Sequence, residues 1–407
     1  MRFAMVINVY VDVDENKYNS FDHPTSFERF NEENTLIETV KSINKLGIDK
    51  EDNLRVYIFA VATQKETKYD SEIRKKIRKI FEDEKCPYET LIYTNDDIFK
   101  LKEITNNDFL DTSGYPEIRN LGLIIPSILK EDVIIQIDDD ELLREQYILH
   151  AKQLIKFNGD KYIITAPYEK NGTIRIKASD PLTSWKKFST MDNDMERLIN
   201  YEGLRETLFG FGGNMIIKRE TAQVSFYPLD VPRGEDFSYL LANRLIYENG
   251  NDEVGILPKD NRYAAYFCCD KEVTIIHRPP REAKKDFLKY FENNMRRFIM
   301  EWNMFSNQQN LSESRLEELS YYLKAMFGYK DMKKKLLSIV EEIRQKYDYP
   351  KEKVDEVENT LICEIEKYIN KDRWQEYKDL QKSYIYNMEK MGENKYVLLK
   401  ALELGGK

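Results

Sequence analysis

The 407-residue sequence contains little cysteine and little histidine. It has four cysteines and three histidines, and the cysteines follow no zinc-ligand spacing. Two of the cysteines are adjacent in the chain, an arrangement that rarely forms a disulfide within itself. We therefore expect buried free thiols in a reducing compartment, and neither a disulfide framework nor a structural zinc site. The cysteines are Cys86, Cys268, Cys269 and Cys363.

The sequence also lacks a long apolar run and an excess of basic residues. No segment approaches the roughly 18 apolar residues that a membrane-spanning helix needs. The N-terminal segment MRFAMVINVYVDVDE has no small-residue cleavage site, so it predicts a first strand and not a signal peptide. The net charge of −9 argues against a nucleic-acid-binding protein. We therefore expect a cytoplasmic protein with no transmembrane segment and no nucleic-acid partner.

Strand and helix patterns alternate in the first part of the chain. Apolar runs typical of strands occur at 3–11, 54–62, 89–93 and 133–137. Helical spacing of apolar residues falls between them, at 33–46, 71–84 and 119–130. The polar segment 96–118 predicts a loop. This alternation predicts a parallel sheet with right-handed crossovers.

The pattern then becomes less regular and finally helical. Further strands are predicted at 161–167, 214–217 and 273–277, a helix at 235–248, and a polar stretch at 178–206. Helical patterns follow one another at 288–305, 315–327, 332–347, 353–369 and 373–391. We predict an α/β domain over residues 1–280, with a Rossmann-like, mostly parallel mixed sheet. An all-helical C-terminal domain is predicted over residues 281–407.

Four consecutive acids follow the most strongly apolar strand pattern. The run 133–137 leads directly into Asp138, Asp139, Asp140 and Glu141. In open α/β sheets ligands bind at the carboxyl ends of the strands, and crowded carboxylates repel each other unless a cation joins them. Mg²⁺ or Mn²⁺ accepts carboxylate oxygens and keeps positions for phosphate oxygens. Taken alone, the segment suits either a divalent-metal site or a solvated acidic turn.

Other segments contain residues that suit a ligand-binding cleft. The glycines of Gly210–Asn214 allow a ligand to approach the backbone closely, although an ordinary tight turn has the same composition. Glu235 and Asp236 lie at the start of a predicted helix, where the helix dipole stabilises acids. If one of them faces the cleft, it would serve as a general base.

A histidine and an arginine complete the set of candidates. His277 ends an apolar strand, where a neighbouring strand would supply a further metal ligand. Arg119 and Asn120 stand before the helix that leads into the acidic strand, and an arginine at a cleft edge suits a phosphate. A structural histidine and a surface charge are the alternatives for these residues.

The order of these motifs resembles that of GT-A glycosyltransferases of the family-2 type, over about residues 1–280. IDDDE is similar to the family's DxD motif, GFGGN to its glycine-rich loop, and Glu235-Asp236 to its xED motif. His277 is similar to its C-terminal metal-binding histidine, and RNLGL to an arginine-containing segment before the DxD strand. The resemblance implies a GT-A fold and metal-dependent transfer of a sugar from a nucleoside-diphosphate donor, of the UDP or GDP type. The acceptor would be a carbohydrate or another hydroxyl compound.

The resemblance also implies a role for each matched residue. Asp138, Asp140 and His277 would bind Mn²⁺ or Mg²⁺. Asp236 and Glu235 would be the catalytic carboxylates, with Asp236 as the base of an inverting transfer. The nucleotide sugar would contact the remaining residues, which are Asn8, Tyr10, Arg119, Asn120, Asp138, Asp139, Gly212, Gly213 and Asn214. Strand one departs from the family pattern, because Val9-Tyr10-Val11-Asp12 replaces the usual Pro-x-Tyr-Asn ending.

Two other functions remain open on the sequence alone. A sugar-phosphate nucleotidyltransferase shares the architecture and the metal requirement, but it should carry a basic, glycine-rich loop where this chain has VDVDENKYNS. A divalent-cation-dependent binding protein without catalysis would use the C-terminal helices as its interaction surface. The apolar stripes of those helices suit an internal core, which we predict, or the seam of a homo-oligomer.

Overall fold

A computed structural model describes residues 1–14, 21, 24–30, 34–63, 65–175, 179–210, 213–279, 286–306, 312–327 and 331–406. The strands are β1 (Arg2–Asp12), β2 (Thr25–Ser26), β3 (Asn53–Ala62), β4 (Glu89–Tyr93), β5 (Val133–Asp138), β6 (Glu141–Leu142), β7 (Ile163–Thr165), β8 (Tyr168–Glu169), β9 (Leu204–Glu206), β10 (Met215–Lys218), β11 (Ala265–Cys268) and β12 (Ile275–His277).

Helices lie between the strands and then occupy the whole C-terminal region. They are α1 (Leu36–Ile43), α2 (Asp70–Asp83), α3 (Asn95–Thr105), α4 (Tyr115–Ile128), α5 (Tyr147–Phe157), α6 (Lys187–Ile199), α7 (Arg219–Ala222), α8 (Glu235–Asn249), α9 (Phe287–Ser306), α10 (Glu313–Leu319), α11 (Tyr321–Phe327), α12 (Met332–Lys346), α13 (Lys351–Ile369), α14 (Arg373–Glu393) and α15 (Lys395–Gly406).

The central sheet is mixed and mostly parallel, as predicted. Its strand order is β4-β3-β1-β5-β10-β7-β11-β9, and the short β2 pairs in parallel with the end of β1. Strands β4, β3, β1 and β5 are mutually parallel, whereas β10 runs antiparallel to both β5 and β7. A separate small sheet, in the order β6-β12-β8, lies next to the acidic segment. The α/β class with a helical C-terminal region is therefore confirmed.

Alternation along β1 separates two apolar cores. Phe3, Met5 and Ile7 belong to a core that also contains residues of α1, α2 and α5. The intervening Ala4 and Val6 belong to a second core, shared with α4, α8 and the C-terminal helices. Because successive side chains of a strand point to opposite faces, the molecule has three layers, with the sheet in the middle.

Three helical segments differ from the sequence prediction. The polar segment predicted as a loop over 96–118 contains α3, which begins after Thr94; Asp97 accepts a hydrogen bond from the Thr94 backbone amide at 2.8 Å. This capping interaction offsets the low apolar content of the helix. The polar stretch 178–206 likewise contains α6 and β9. The segment predicted as one helix over 315–327 is broken at Ser320 into α10 and α11.

The end of the chain returns to the α/β region. Helix α15, which the apolar pattern did not predict, packs against β4 and α3. The Tyr93 hydroxyl donates a hydrogen bond to the Ala401 carbonyl at 3.0 Å. Within the part of the chain that the structure describes, no helix combines the length and the apolar character needed to cross a membrane.

Candidate active site

The acidic residues that the sequence predicted at a strand end begin at the carboxyl end of β5, in the middle of the sheet. The parallel register of β1 and β5 pairs Asn8 with Asp138. After Asp138 the chain turns through Asp139 and Asp140 and enters β6. The apolar residues before Asp138 are buried on both faces, so the strand carries the acids to the rim of the sheet. This rim is where ligands bind in open α/β sheets.

The small second sheet brings His277 to the same rim. Strand β12 pairs with β6 in antiparallel register, which places His277 opposite Glu141. The Nε2 atom of His277 lies 3.2 Å from Oδ2 of Asp140. The backbone amide of Arg278 also donates to the Asp140 carbonyl at 2.8 Å. The histidine and the acids, which are far apart in sequence, therefore form one cluster.

Arg119 joins this cluster to the first turn of α8. Its side chain is 3% exposed. The Nη2 atom donates to Oδ1 of Asp138 at 2.7 Å, and Nε donates to Oε1 of Glu235 at 3.2 Å. Burial favours the neutral guanidine, but Asp138 and Glu235 oppose this and raise the pKa of Arg119 well above its ordinary value. One buried cation thus holds both acidic motifs together.

The first turn of α8 contains the predicted catalytic carboxylates. Glu235 and Asp236 are both buried. Burial raises the pKa of Glu235, and the neighbouring Arg119 counteracts that effect. Asp236 and Asp140 both act electrostatically on Tyr168, whose ring centroid is 4.9 Å from that of His277. The first turn of α8 and the acidic segment are joined directly by the two ion pairs of Arg119.

The acid cluster has more negative charge than its protein neighbours neutralise. Burial, together with the nearby Asp140, raises the pKa of Asp138, although Arg119 opposes the shift. Burial and the same acidic neighbours also raise the pKa of Asp139 and of Glu141. Burial and neighbouring negative charge both disfavour an ionised carboxylate. A cation beside these residues would lower their pKa values.

Several buried polar atoms around the cluster have no hydrogen-bonding partner among the residues that the structure describes. These are both amide atoms of Asn8, the hydroxyl of Tyr10, Nη1 of Arg119 and Nδ1 of His277. Each such buried atom costs about 1–3 kcal/mol. They lie at the ends of β1 and β12 and on α4, at the same rim as the acids. A polar ligand at this rim would satisfy them.

The glycine-rich loop approaches the acids closely. A Cβ atom on Gly213 would lie 2.1 Å from Oε2 of Glu141 and 2.9 Å from the Asp138 backbone nitrogen. Only glycine fits there, because both neighbours are fixed parts of the acidic turn. Gly212, which was predicted to contact the nucleotide sugar, lies outside the described residues.

Two residues predicted to bind the nucleotide sugar make hydrogen bonds within the protein. Asn214 is buried; its amide donates to the carbonyls of Pro167 and Val273, and its oxygen accepts from the Tyr147 hydroxyl. Asn120 is also buried, and its amide exchanges two hydrogen bonds with the backbone of Tyr227. Each amide thus connects neighbouring segments of the chain, and the role of both residues in binding the nucleotide sugar stays a prediction.

Two aromatic residues that the sequence analysis did not single out, Phe21 and Tyr115, pack against Tyr10 at the border of the site. Tyr10 stacks on Phe21 with ring centroids 4.6 Å apart, and Tyr115 packs edge-on against both rings. A cavity of about 310 Å³ lies beside this group and is lined by residues that include Phe21, Tyr115, Glu117 and Arg296. No local pattern links these residues, because they come from separate segments of the chain.

A second acidic group, far from this rim, is already neutralised. Asp49, Glu51 and Asp52 lie before the amino end of β3. Lys152 contacts all three carboxylates at 2.5, 2.9 and 2.6 Å. The N-terminal amine also pairs with Asp52 at 2.8 Å. These ion pairs compensate the acids, so we do not assign a metal to this group.

The DxD cluster, by contrast, fits a divalent cation by its chemistry. Asp138, Asp140 and His277 offer carboxylate oxygens and an imidazole nitrogen, which are ligands that Mn²⁺ accepts. The raised pKa values of Asp138 and its acidic neighbours are consistent with a need for positive charge there. These three residues would hold the ion.

No protein-family model matches the chain, and no curated protein matches it. Among solved structures it is similar to S. aureus TarS, with 14% identity and a TM-score of 0.39 over 94% of this chain and 55% of that one. It is also similar to the mannosyltransferase PcManGT from Pyrobaculum calidifontis, a complex with GDP-Man and Mn²⁺ (12% identity, TM-score 0.45, 96% of this chain and 86% of that one). A third is mouse xyloside xylosyltransferase 1 (11% identity, TM-score 0.33, 69% of this chain and 100% of that one). The chain thus spans about half the length of TarS. At these low values the function has to be inferred from the site.

Proposed function

We propose that this protein is a metal-dependent glycosyltransferase that moves a sugar from a nucleoside-diphosphate donor to an acceptor hydroxyl. The observation that carries the proposal is the group of unpartnered buried atoms on Asn8, Tyr10, Arg119 and His277 around an acid cluster. Such a rim offers hydrogen-bond donors and acceptors to a polar ligand and negative charge to a cation. A nucleoside diphosphate accompanied by Mn²⁺ or Mg²⁺ provides both partners.

The acid cluster would bind the cation and the arginine would orient the donor. Asp138, Asp140 and His277 would hold the ion, which when bound neutralises charge on a departing diphosphate. Arg119 donates hydrogen bonds to Asp138 through Nη2 and to Glu235 through Nε. Its third nitrogen, Nη1, contacts neither carboxylate and has no hydrogen-bonding partner among the described residues. An arginine in that position suits a phosphate oxygen. Asn8 and Tyr10, at the end of β1, would contact the nucleoside.

Asp236 is the better candidate for the general base. Glu235 is ion-paired with Arg119 at 3.2 Å, which fixes it towards α4. Asp236 lies in the same buried turn of α8. In an inverting transfer Asp236 would accept the proton of the acceptor hydroxyl. The acceptor oxygen would then bond to the anomeric carbon, while the bond from that carbon to the diphosphate oxygen breaks.

The test is release of nucleoside diphosphate from a panel of UDP- and GDP-sugars in the presence of Mn²⁺. We expect wild-type turnover that chelator removes, and loss of at least about 100-fold in Asp140→Ala and His277→Ala. His150→Ala is the matched control, because His150 also contacts an acid, Asp270, at 2.9 Å, but lies on α5. Variants that keep wild-type rates would contradict the proposal.

The same preparation separates the alternative functions. Pyrophosphate release from a sugar phosphate and a nucleoside triphosphate would identify a nucleotidyltransferase. Metal-dependent binding of nucleotides without any turnover would identify a binding protein. A thermal-shift panel of nucleoside diphosphates with Mn²⁺ would identify the base, because a ligand at 100 times its Kd stabilises by about 2.7 kcal/mol.

A further inference from the structure

Two charged side chains of α9 are buried against the first turn of α8. Arg297 and Glu301 are 3% and 2% exposed, and Nε of Arg297 lies 3.7 Å from Oε1 of Glu301. Helix α9 belongs to the C-terminal helical region, whereas α8 belongs to the α/β region and begins with Glu235 and Asp236. The two regions therefore meet at the predicted catalytic turn.

The ion pair contacts α8 on both sides of the two carboxylates. Nη1 of Arg297 donates to the Gly234 carbonyl at 3.4 Å, before Glu235. Oε1 of Glu301 accepts from the Ser238 hydroxyl at 2.6 Å, after Asp236. Arg297 is fixed in turn by a hydrogen bond from Nη2 to the Tyr322 hydroxyl at 2.6 Å. The turn that contains the carboxylates is thus held at its start and at its end.

The backbone at Gly234 is shaped for this contact. Gly234 has a φ of 72°, in the left-handed region that favours glycine. A Cβ atom at this position would lie 1.7 Å from Nη1 of Arg297. The arginine therefore occupies the space that a larger residue at position 234 would need.

Stability alone gives a poor account of this pair. Replacing a buried ion pair by well-packed apolar residues is often neutral or stabilising. Here Nε of Arg297 and Oε2 of Glu301 also have no hydrogen-bonding partner in the described part of the chain. A pair with such a cost is better explained by the orientation that it imposes on its neighbours.

We propose that Arg297 and Glu301 are positioning residues that hold the first turn of α8 so that Asp236 faces the acceptor. The proposal rests on the glycosyltransferase function proposed above. It makes the C-terminal helical region part of the catalytic apparatus, because α9 supplies both side chains. The metal residues on β5 and β12 are linked to this turn indirectly, through the ion pairs of Arg119 with Asp138 and Glu235.

The test compares two double variants that each remove one buried ion pair between residues i and i+4. The first is Arg297→Met with Glu301→Met. The control is Arg244→Met with Glu248→Met, a pair farther along α8 whose Nη2 and Oε1 atoms are 2.5 Å apart and that also pairs with Glu206 and Lys259. Both changes replace a buried pair by apolar side chains of similar length, and the free energy of unfolding is measured for both variants so that kcat is compared at known stability.

We expect the first variant to lose roughly 10- to 100-fold in kcat, because a displacement of about 1 Å costs this much in a catalytic group. The KM for the donor and the Kd for nucleotide with Mn²⁺ should stay within about twofold of wild type in both variants, and the control should also keep kcat within that range. The single variant Arg297→Lys keeps the positive charge, so its kcat should lie between those of the double variant and the wild type.

Amide hydrogen exchange over residues 234–238 provides a measurement that does not depend on activity. We expect faster exchange there in the first variant and unchanged exchange in the control. If the first variant does not fold, Ser238→Ala is used instead, because it removes only the hydrogen bond to Glu301. It should show a smaller loss of kcat and a smaller increase in exchange. Wild-type kcat together with wild-type exchange in the folded variant would overturn the proposal. Absence of turnover in the wild type would instead refute the proposed function, with the exchange experiment still deciding whether the turn is held.

Discussion

Arg119 is the single residue on which the geometry of the candidate site depends most. It comes from α4, yet it contacts an acid at the end of β5 and another at the start of α8. Removing it would leave Asp138 and Glu235 without their buried partner, and a buried charge without a partner is strongly destabilising. Its role is therefore structural and electrostatic at the same time.

Asp139 gives a pH-dependent prediction at this scale. Its burial, followed by the neighbouring Asp140 and Asp138, raises its pKa well above the ordinary value. An acid with a raised pKa in the folded state costs stability as the pH rises above its unfolded pKa of about 3.9. We expect Asp139→Asn to raise the Tm of the metal-free protein by roughly 1–3 °C at pH 7.5.

The Tm increase caused by Asp139→Asn should fall to near zero at about pH 4, because there protonation of the wild-type carboxyl in the folded state costs little free energy. Thermal unfolding in the presence of chelator, from pH 4 to 7.5, measures this difference. A Tm difference between Asp139→Asn and wild type that grows as the pH falls would contradict the prediction. The Asp139 backbone carbonyl, which accepts from the Thr39 hydroxyl, is unchanged in this variant.

Gly213 gives a steric prediction. Its missing Cβ leaves room for the Glu141 carboxylate and for the backbone of Asp138. We expect Gly213→Ala to displace the acidic turn and to reduce donor turnover by roughly 100-fold, with a matching loss of Mn²⁺ affinity by calorimetry. Gly159→Ala is a suitable control for folding, because a Cβ atom at that position would have nothing within 4 Å. Equal metal affinity in wild type and Gly213→Ala would refute the prediction.

At the scale of elements, polar side chains determine structure where apolar periodicity is weak. Asp194 of α6 accepts hydrogen bonds from the Ser320 hydroxyl and from the backbone amides of Tyr321 and Tyr322. These contacts start α11 at the point where the apolar pattern predicted one continuous helix. A buried carboxylate thus divides the predicted helix, because it satisfies the free amides of a new helix start.

Glu342 of α12 has a comparable role at another junction. Its carboxylate accepts from the backbone amides of Thr183 and Ser184 at 2.6 and 2.8 Å and pairs with Lys346. Although burial opposes the shift, hydrogen bonds from Lys346, Ser184 and Thr183 lower the pKa of Glu342. We expect Glu342→Gln to reduce the free energy of unfolding by about 1–2 kcal/mol at neutral pH.

The pH dependence of Glu342→Gln has the opposite sign to that of Asp139→Asn. A lowered pKa in the folded state contributes stability above the unfolded pKa of about 4.3, and the contribution is lost as the pH falls through the lower folded value. Urea denaturation at pH 7 and at pH 3.5 tests this. Glu341→Gln, one residue away, serves as the control. A difference in the free energy of unfolding between Glu342→Gln and wild type that is larger at pH 3.5 than at pH 7 would contradict the prediction.

At the scale of the whole molecule, the C-terminal helices share a core with the α/β region. Leu91 and Tyr93 of β4 belong to the same apolar core as Val397, Ala401 and Leu404 of α15. The division at about residue 280 stays a prediction. The shared core indicates that separating the two parts would expose a large apolar surface of the sheet.

Removal of α15 tests how far the molecule depends on this contact. We expect deletion of residues 395–407 to lower the free energy of unfolding by on the order of 5 kcal/mol, from the loss of three buried side chains and their partners, and to promote aggregation. Denaturation and size-exclusion chromatography measure both effects. Leu399→Ser, on the exposed side of α15, is the control and should change stability by less than about 0.5 kcal/mol. A deletion variant as stable as this control would refute the prediction.

Local patterns in the sequence determined the alternation of strands and helices, the mostly parallel sheet and the acids at the end of β5. They could do so because side-chain period and strand ends are properties of short segments. Only the tertiary structure decided that His277 lies beside Asp140, that Arg119 bridges Asp138 and Glu235, and that Arg297 reaches Gly234. These contacts join segments far apart in the chain, through the pairing of β12 with β6 and the packing of α4 and α9 against α8. Such pairing depends on which surfaces remain to be buried once the sheet has formed, and no short segment contains that information.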